Sequence, residues 1–226
     1  MLSLYIGNKN YSSWSMRAAV LLDAFGLAYT EHKLEFDDFS ADGVFKQSIG
    51  KISAAGKVPV LVDGDITVWD SLAIAEYVAE AHPEKALWPQ DKANRAHARA
   101  ITAEMHSGFQ ALRNACPMNI EADLAEVGQG LWQENADLRA DVAYLEAMWG
   151  ELLADGREFL FGSFCIADAF YAPVVMRLQG YGLPVNEVTQ AYMARIQAHP
   201  AVDKWLQAAL QEKLFVAIDE PYRQHR

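Results

Sequence analysis

A chain of 226 residues is long for one domain and comfortable for two, and it can bury a sizeable core. Its formal net charge of −11 argues against a nucleic-acid partner, because phosphate backbones are held largely by Lys and Arg and no basic run appears here. With 52% hydrophobic residues and no stretch approaching the roughly 18 uninterrupted apolar residues of a membrane span, the composition is that of a soluble globular protein with no membrane partner.

In chain order, "LSLYIG" (2–7) reads as a strand, and 14–26 reads as a helix ending at Gly26, a natural residue to follow a helix C-terminus. "YTEHKLEF" (29–36) alternates like a half-buried strand. A short helical piece around 42–49 and a loop, "GKISAAGK", follow. "VPVLVDGDITVW" (58–69) predicts a hairpin of two Val-rich runs joined across "DGD". "DSLAIAEYVAEAH" (70–82) predicts a helix with Leu72, Ala75, Val78 and Ala79 on one face. The order β-α-β-α-β-β-α implies a mixed sheet with helices on its faces, the order of a thioredoxin-like domain over 1–82.

The texture changes at Pro83. Residues 83–87 read as a linker, and 88–226 as an all-helical domain, so the fold class is α/β plus all-α. Leu131, Leu138, Val142, Leu145, Trp149 and Leu152 carry the spacing of one helix face. Further helices are expected at 90–115, 167–180, 187–198 and 201–212.

The two cysteines, Cys116 and Cys165, form neither a CxxC nor a metal knuckle, which suits a reduced, cytoplasmic setting. The six histidines show no HExxH or paired metal spacing, so no metal is expected. The N-terminus lacks a basic segment followed by a long apolar stretch, and no secretory signal is expected.

Three serines crowd the start of the first helix in "NYSSWSMRAAVLLDAFG" (10–26). One side-chain oxygen suffices to cap a helix, and Ser15 or Ser13 serves that purpose, leaving another hydroxyl free. Capping and turning alone would also account for all three serines. Arg17 is out of place, because a cation in a first turn opposes the dipole. It either pairs with an acid, the reading preferred on sequence, or awaits an anion.

"GKVPVL" (56–61), "DS" (70–71) opening a helix, "LWPQDKANRA" (87–96) and "FLFGSFCIADA" (159–169) occur in an order and at spacings that resemble the cytosolic glutathione transferase superfamily across essentially the whole chain. "SSWSMR" (12–17) resembles the serine-type segment "SSCSxR" of the zeta class, also called maleylacetoacetate isomerases. Trp14 stands where that motif has cysteine, which weakens the isomerase reading; packing is its expected role.

The resemblance implies glutathione as co-substrate, no metal, a small electrophilic second substrate, detoxification chemistry and a homodimer. By register, Ser12 is the expected thiolate donor, with Ser13 close behind and Tyr11 as competitor. Pro59, on residues alone an edge-strand proline, would be a cis-proline presenting the Val58 backbone to the cysteinyl moiety. Asp70 and Ser71, which could simply cap their helix, would hold the γ-glutamyl end, and Lys57, otherwise a solvated lysine, the glycyl end. The acceptor site would involve Tyr11, Trp14, His106, Phe109 and Arg113. In "CIAD", Cys165 replaces the usual capping hydroxyl, so a half-formed capping box is expected, with Ser163 as a substitute cap.

A glutathione thiol has a pKa near 8.5, and lowering it to about 6.5 requires roughly 2.7 kcal/mol. One charge-assisted hydrogen bond plus a dipole contribution is of that size. The expected activity is glutathione conjugation. A zeta-type cis–trans isomerase and a non-catalytic binding or scaffold module are the alternatives. A glutaredoxin-like reductase is disfavoured because the first helix holds no cysteine.

Overall fold

The computed structural model describes residues 1–226. Its first part alternates β1 (Leu2–Ile6), α1 (Ser13–Ala24), β2 (Tyr29–Lys33), α2 (Val44–Gly50), β3 (Val60–Asp63), β4 (Ile66–Val68) and α3 (Ser71–Ala81). The sheet order is β2-β1-β3-β4, with β1 parallel to β2 and antiparallel to β3. The crossover through α1 makes the parallel pair, and the Gly64–Asp65 turn makes the final antiparallel pair.

β2 stops at Lys33, short of the predicted strand end at 36. Leu34 makes one last bond to the Ile6 carbonyl, and the Phe36 N–H then turns to Asn8 Oδ1 at 2.7 Å. That turn carries Phe36 into a small cluster with Phe39 and Phe45.

The remainder is helical: α4 (Lys92–Ser107), α5 (Gln110–Ala115), α6 (Ala125–Glu134), α7 (Ala136–Leu153), α8 (Ile166–Gly180), α9 (Glu187–Ala198) and α10 (Pro200–Gln211). Two predicted continuities are broken. The helix expected over 90–115 ends at Ser107, because Phe109 takes a left-handed conformation with φ 54°. The face running from Leu131 to Leu152 spans two helices, since Asn135 ends α6 and its side chain caps α7 by accepting from the Leu138 N–H at 2.9 Å.

One core joins the two parts. Its members include Leu4 and Ile6 of the sheet, Leu21 and Leu22 of α1, and Phe170 and Val174 of α8. Helix α8 is buried along nearly its whole length. The capping box at its start closes, contrary to the half-formed box expected of Cys165; the sulfur occupies the hydroxyl's place as a weak acceptor, and Ser163 is not required. Asp168 supplies the stronger half, accepting from the N–H groups of Cys165 at 3.0 Å and Leu160 at 3.2 Å and from the Tyr192 hydroxyl at 2.9 Å.

Candidate functional site

Two hollows of about 330 and 270 Å³ adjoin at the N-terminus of α1, sharing Trp14, Lys57 and Val58 as a common wall. Together they have the size of a small-molecule site.

The smaller hollow gathers Lys57, Val58, Pro59, Asp70 and Ser71, as expected from the sequence. The Val58–Pro59 bond is cis. Val58 precedes β3, and its backbone N–H and C=O bond to no other group of the protein. Asp70 caps α3: Oδ1 accepts from the N–H groups of Leu72 at 3.0 Å and Ala73 at 3.3 Å. Its other oxygen lies 2.9 Å from His106 Nε2. His106, expected at the acceptor site, is therefore drawn to Asp70, and its ring meets Trp14 edge-on. Ser71 Oγ is buried, lines the hollow and has no hydrogen-bond partner. A buried hydroxyl without a hydrogen-bond partner costs stability, which makes the idle Ser71 Oγ an informative group.

The larger hollow is lined by Tyr11, Ser12, Ser13, Trp14, Phe36, Phe39, Lys46, Arg113, Arg177 and Asp219, among others. The serines divide their work differently from the sequence reading. Ser12, not Ser13 or Ser15, caps α1, with Oγ accepting from the Ser15 N–H at 3.3 Å. The Ser12 hydroxyl donates to Ser15 Oγ at 2.8 Å, and Ser15 Oγ in turn accepts from the Gly7 N–H at 3.1 Å. Ser12 is thus committed to the turn. Ser13 Oγ accepts from Arg177 Nη2 at 3.2 Å, and its own proton donates to no protein atom.

Tyr11 lines the same hollow, but its hydroxyl is turned to the C-terminal tail, donating to Glu220 at 2.7 Å. Burial, then the Glu220 hydrogen bond, pushes its pKa up to about 12. This geometry is poor for a thiolate donor.

Trp14 is flanked by two cations, with the guanidinium carbons of Arg17 and Arg113 at 4.3 and 4.9 Å from its ring centroid. The acid expected opposite Arg17 is absent. Arg17 is fully buried between Trp14 and Phe170, its Nε and Nη1 without partners, because the aromatic faces occupy the place of a carboxylate. Burial, then repulsion from Arg113 and Arg177, lowers its pKa to about 9, so it stays charged at neutral pH. Arg113 donates only to the carbonyls of His106 and Gly108. Phe109 lines neither hollow; the helix break at Gly108 sends it into the core against Tyr144 and Tyr171.

Sequence reasoning missed Arg177, Asp219, Lys46 and the Phe36–Phe39 wall. Arg177 carried a usable signal, being the one charge in the apolar run "FYAPVVMRL". Asp219 lies in a tail without periodicity; its Oδ2 is buried and unpartnered, and burial beside Glu220 pushes its carboxyl up to about 6.

Residues 4–80 match the family described as glutathione S-transferase, N-terminal domain. Glutathione S-transferase Z1 of Arabidopsis thaliana is 31% identical over 175 residues, covering 74% of this chain and 75% of that one. A probable maleylacetoacetate isomerase of Caenorhabditis elegans is 29% identical over 207 residues, covering 87% and 92%. Among solved structures, a Burkholderia glutathione transferase homolog with bound glutathione superposes with a TM-score of 0.69 at 27% identity, covering 92% of this chain and 97% of that one.

Proposed function

The chain belongs to the glutathione S-transferase family and is zeta-like within it; from that premise we propose that the cleft binds glutathione and transfers its sulfur to a small electrophile. The γ-glutamyl end sits at Asp70 and Ser71, where α3 offers its N-terminal end. The cysteinyl moiety lies along Val58 and Pro59. The glycyl carboxylate points toward Lys57 and Lys46. The observation that carries this reading is the buried, partnerless Ser71 hydroxyl beside the unpaired Val58 backbone, two sets of polar groups awaiting a peptide-like ligand.

The sulfur then falls beside Ser13. The S–H bond ionises, its proton passes to water, and the electron pair remaining on sulfur attacks the electrophilic carbon. The Ser13 hydroxyl donates to that thiolate, and Arg113 and Arg177 supply positive potential on the same side of the cleft. In conjugation a leaving group departs or a proton is taken up; in isomerisation the sulfur adds to a double bond and leaves again.

Isomerisation is the second reading, favoured by one feature: neither Arg113 nor Arg177 has a carboxylate partner in the protein. A carboxylate-bearing acceptor would complete them. Thiol consumption across a panel of electrophiles, run beside isomerisation of maleyl acids, separates the two. Turnover is expected in at least one arm, and none in either would identify a binding module.

We also propose a cytoplasmic homodimer, supported by the resemblance. Sedimentation at micromolar protein reads the assembly directly, a monomer contradicting it.

A further inference from the structure

Arg177 enters the cleft from α8, a helix buried along nearly its whole length, and no acid in the protein pairs with it. Its Nη1 donates to the backbone carbonyls of Arg113 and Cys116, and Nη2 donates to Ser13 Oγ at 3.2 Å. The two carbonyls fix the plane of the guanidinium, and Arg177 as a whole is only 7% exposed. The remaining arm is therefore held against one hydroxyl.

We propose that Arg177 is the positioning residue of Ser13: by filling a lone pair of the hydroxyl oxygen, it directs the Ser13 proton into the cleft and makes it a stronger donor to the glutathione thiolate. This rests on the reading of the cleft as a glutathione site. A hydroxyl that accepts from a cation is polarised, and its O–H bond strengthens as a donor through the same chain. Without Arg177, the Ser13 oxygen could accept from the thiol and its proton could turn elsewhere, which would favour the neutral sulfur. Burial lowers the pKa of Arg177 to about 10, leaving it charged through the neutral range.

Other charges lining the cleft are Arg113 from α5, Lys46 from α2, Lys57 from the loop before β3 and Asp219 from the C-terminal tail. Arg17 of α1 lies behind Trp14, and Asp70 borders the adjoining hollow. Each can move the thiol pKa through space. None of them hydrogen-bonds to Ser13, so coupling to that hydroxyl distinguishes Arg177 from a general electrostatic effect.

The test is the thiolate absorbance of the glutathione complex against pH for the full chain, Ser13→Ala, Arg177→Met, Arg177→Lys and the double variant Ser13→Ala/Arg177→Met. Ser13→Ala should raise the apparent thiol pKa by about 1 to 2. Arg177→Met should raise it by about 1, yet by less than half as much when Ser13 is already alanine. Arg177→Lys keeps the charge but cannot reach two carbonyls and a hydroxyl with one planar fork, and should also shift the pKa upward. If Arg177→Met does not fold, the lysine variant in both Ser13 backgrounds supplies the same cycle. Equal shifts in the two backgrounds would assign Arg177 to charge alone, and an unshifted titration would make it structural; either overturns the proposal. A Ser13→Ala variant that titrates like the wild type would instead defeat the assignment of the thiolate to Ser13.

Discussion

Ser12 and Ser13 differ by one position and have opposite fates. Ser12 precedes the first helical residue, so its oxygen meets the N–H three residues on; Ser13 begins the helix and projects into the cleft. That register depends on the backbone torsion at one residue, which "SSWS" does not reveal. Asp70 was legible, because an acid before an apolar helix caps by local geometry. The meeting of His106 with Asp70 was not legible, since the two lie 36 positions apart. Tyr11 offers a sharp check at this scale. Its hydroxyl is spent on Glu220, so Tyr11→Phe should leave the titration of bound thiol unmoved. The same change removes a charge-assisted bond and should loosen the tail by about 1.5–3 kcal/mol. Limited proteolysis after α10 would read this, and a shifted thiol titration would restore the tyrosine as donor.

Helix faces were legible wherever apolar spacing ran unbroken, and α9 begins and ends where periodicity placed it. The breaks at Phe109 and Asn135 were hidden because Leu131 and Leu138, seven residues apart, keep the same phase across an interruption. A pair of glycines in α6 tests how closely these helices pack. A Cβ built on Gly128 runs into the backbone carbonyl of Tyr181, whereas one on Gly130 meets nothing within 4 Å. Alanine is favoured over glycine in a helix by about 0.8–1.0 kcal/mol. Gly130→Ala should therefore stabilise the protein by up to that amount. At Gly128 the collision is with backbone, which cannot swing aside, and the overpacking cost of about 1–3 kcal/mol wins. Denaturant midpoints of the two variants should move in opposite directions; a shared direction would mean that α6 does not sit against Tyr181 as described.

At the scale of the molecule, the sheet-bearing part supplies the groups around Val58, Asp70 and Ser71, and the helical part supplies Arg113, Arg177 and Asp219. The C-terminal tail ties them together. Glu212 accepts from the Lys9 N–H at 2.8 Å, Glu220 accepts from Tyr11 and Asn119, and Arg223 and Arg226 pair with Glu121. The first half of the cleft could be read from short motifs, because each is local in sequence. The second half is assembled from residues 42 to 106 positions apart, and no local pattern announces such a meeting.

The account stands on one claim, that this cleft is built to hold glutathione, and calorimetric titration of the full chain with glutathione tests it most directly. Ser71 is buried at the N-terminus of α3 with an idle hydroxyl, and alanine in its place removes the group without disturbing a bond made inside the protein. Wild type should show saturable binding. Ser71→Ala should bind more weakly by about 1.5–3 kcal/mol, roughly a ten- to hundred-fold rise in Kd, while the free protein unfolds at a denaturant midpoint equal to or above that of the wild type. No heat of binding in the wild type, or equal affinity in a folded Ser71→Ala, would contradict the claim.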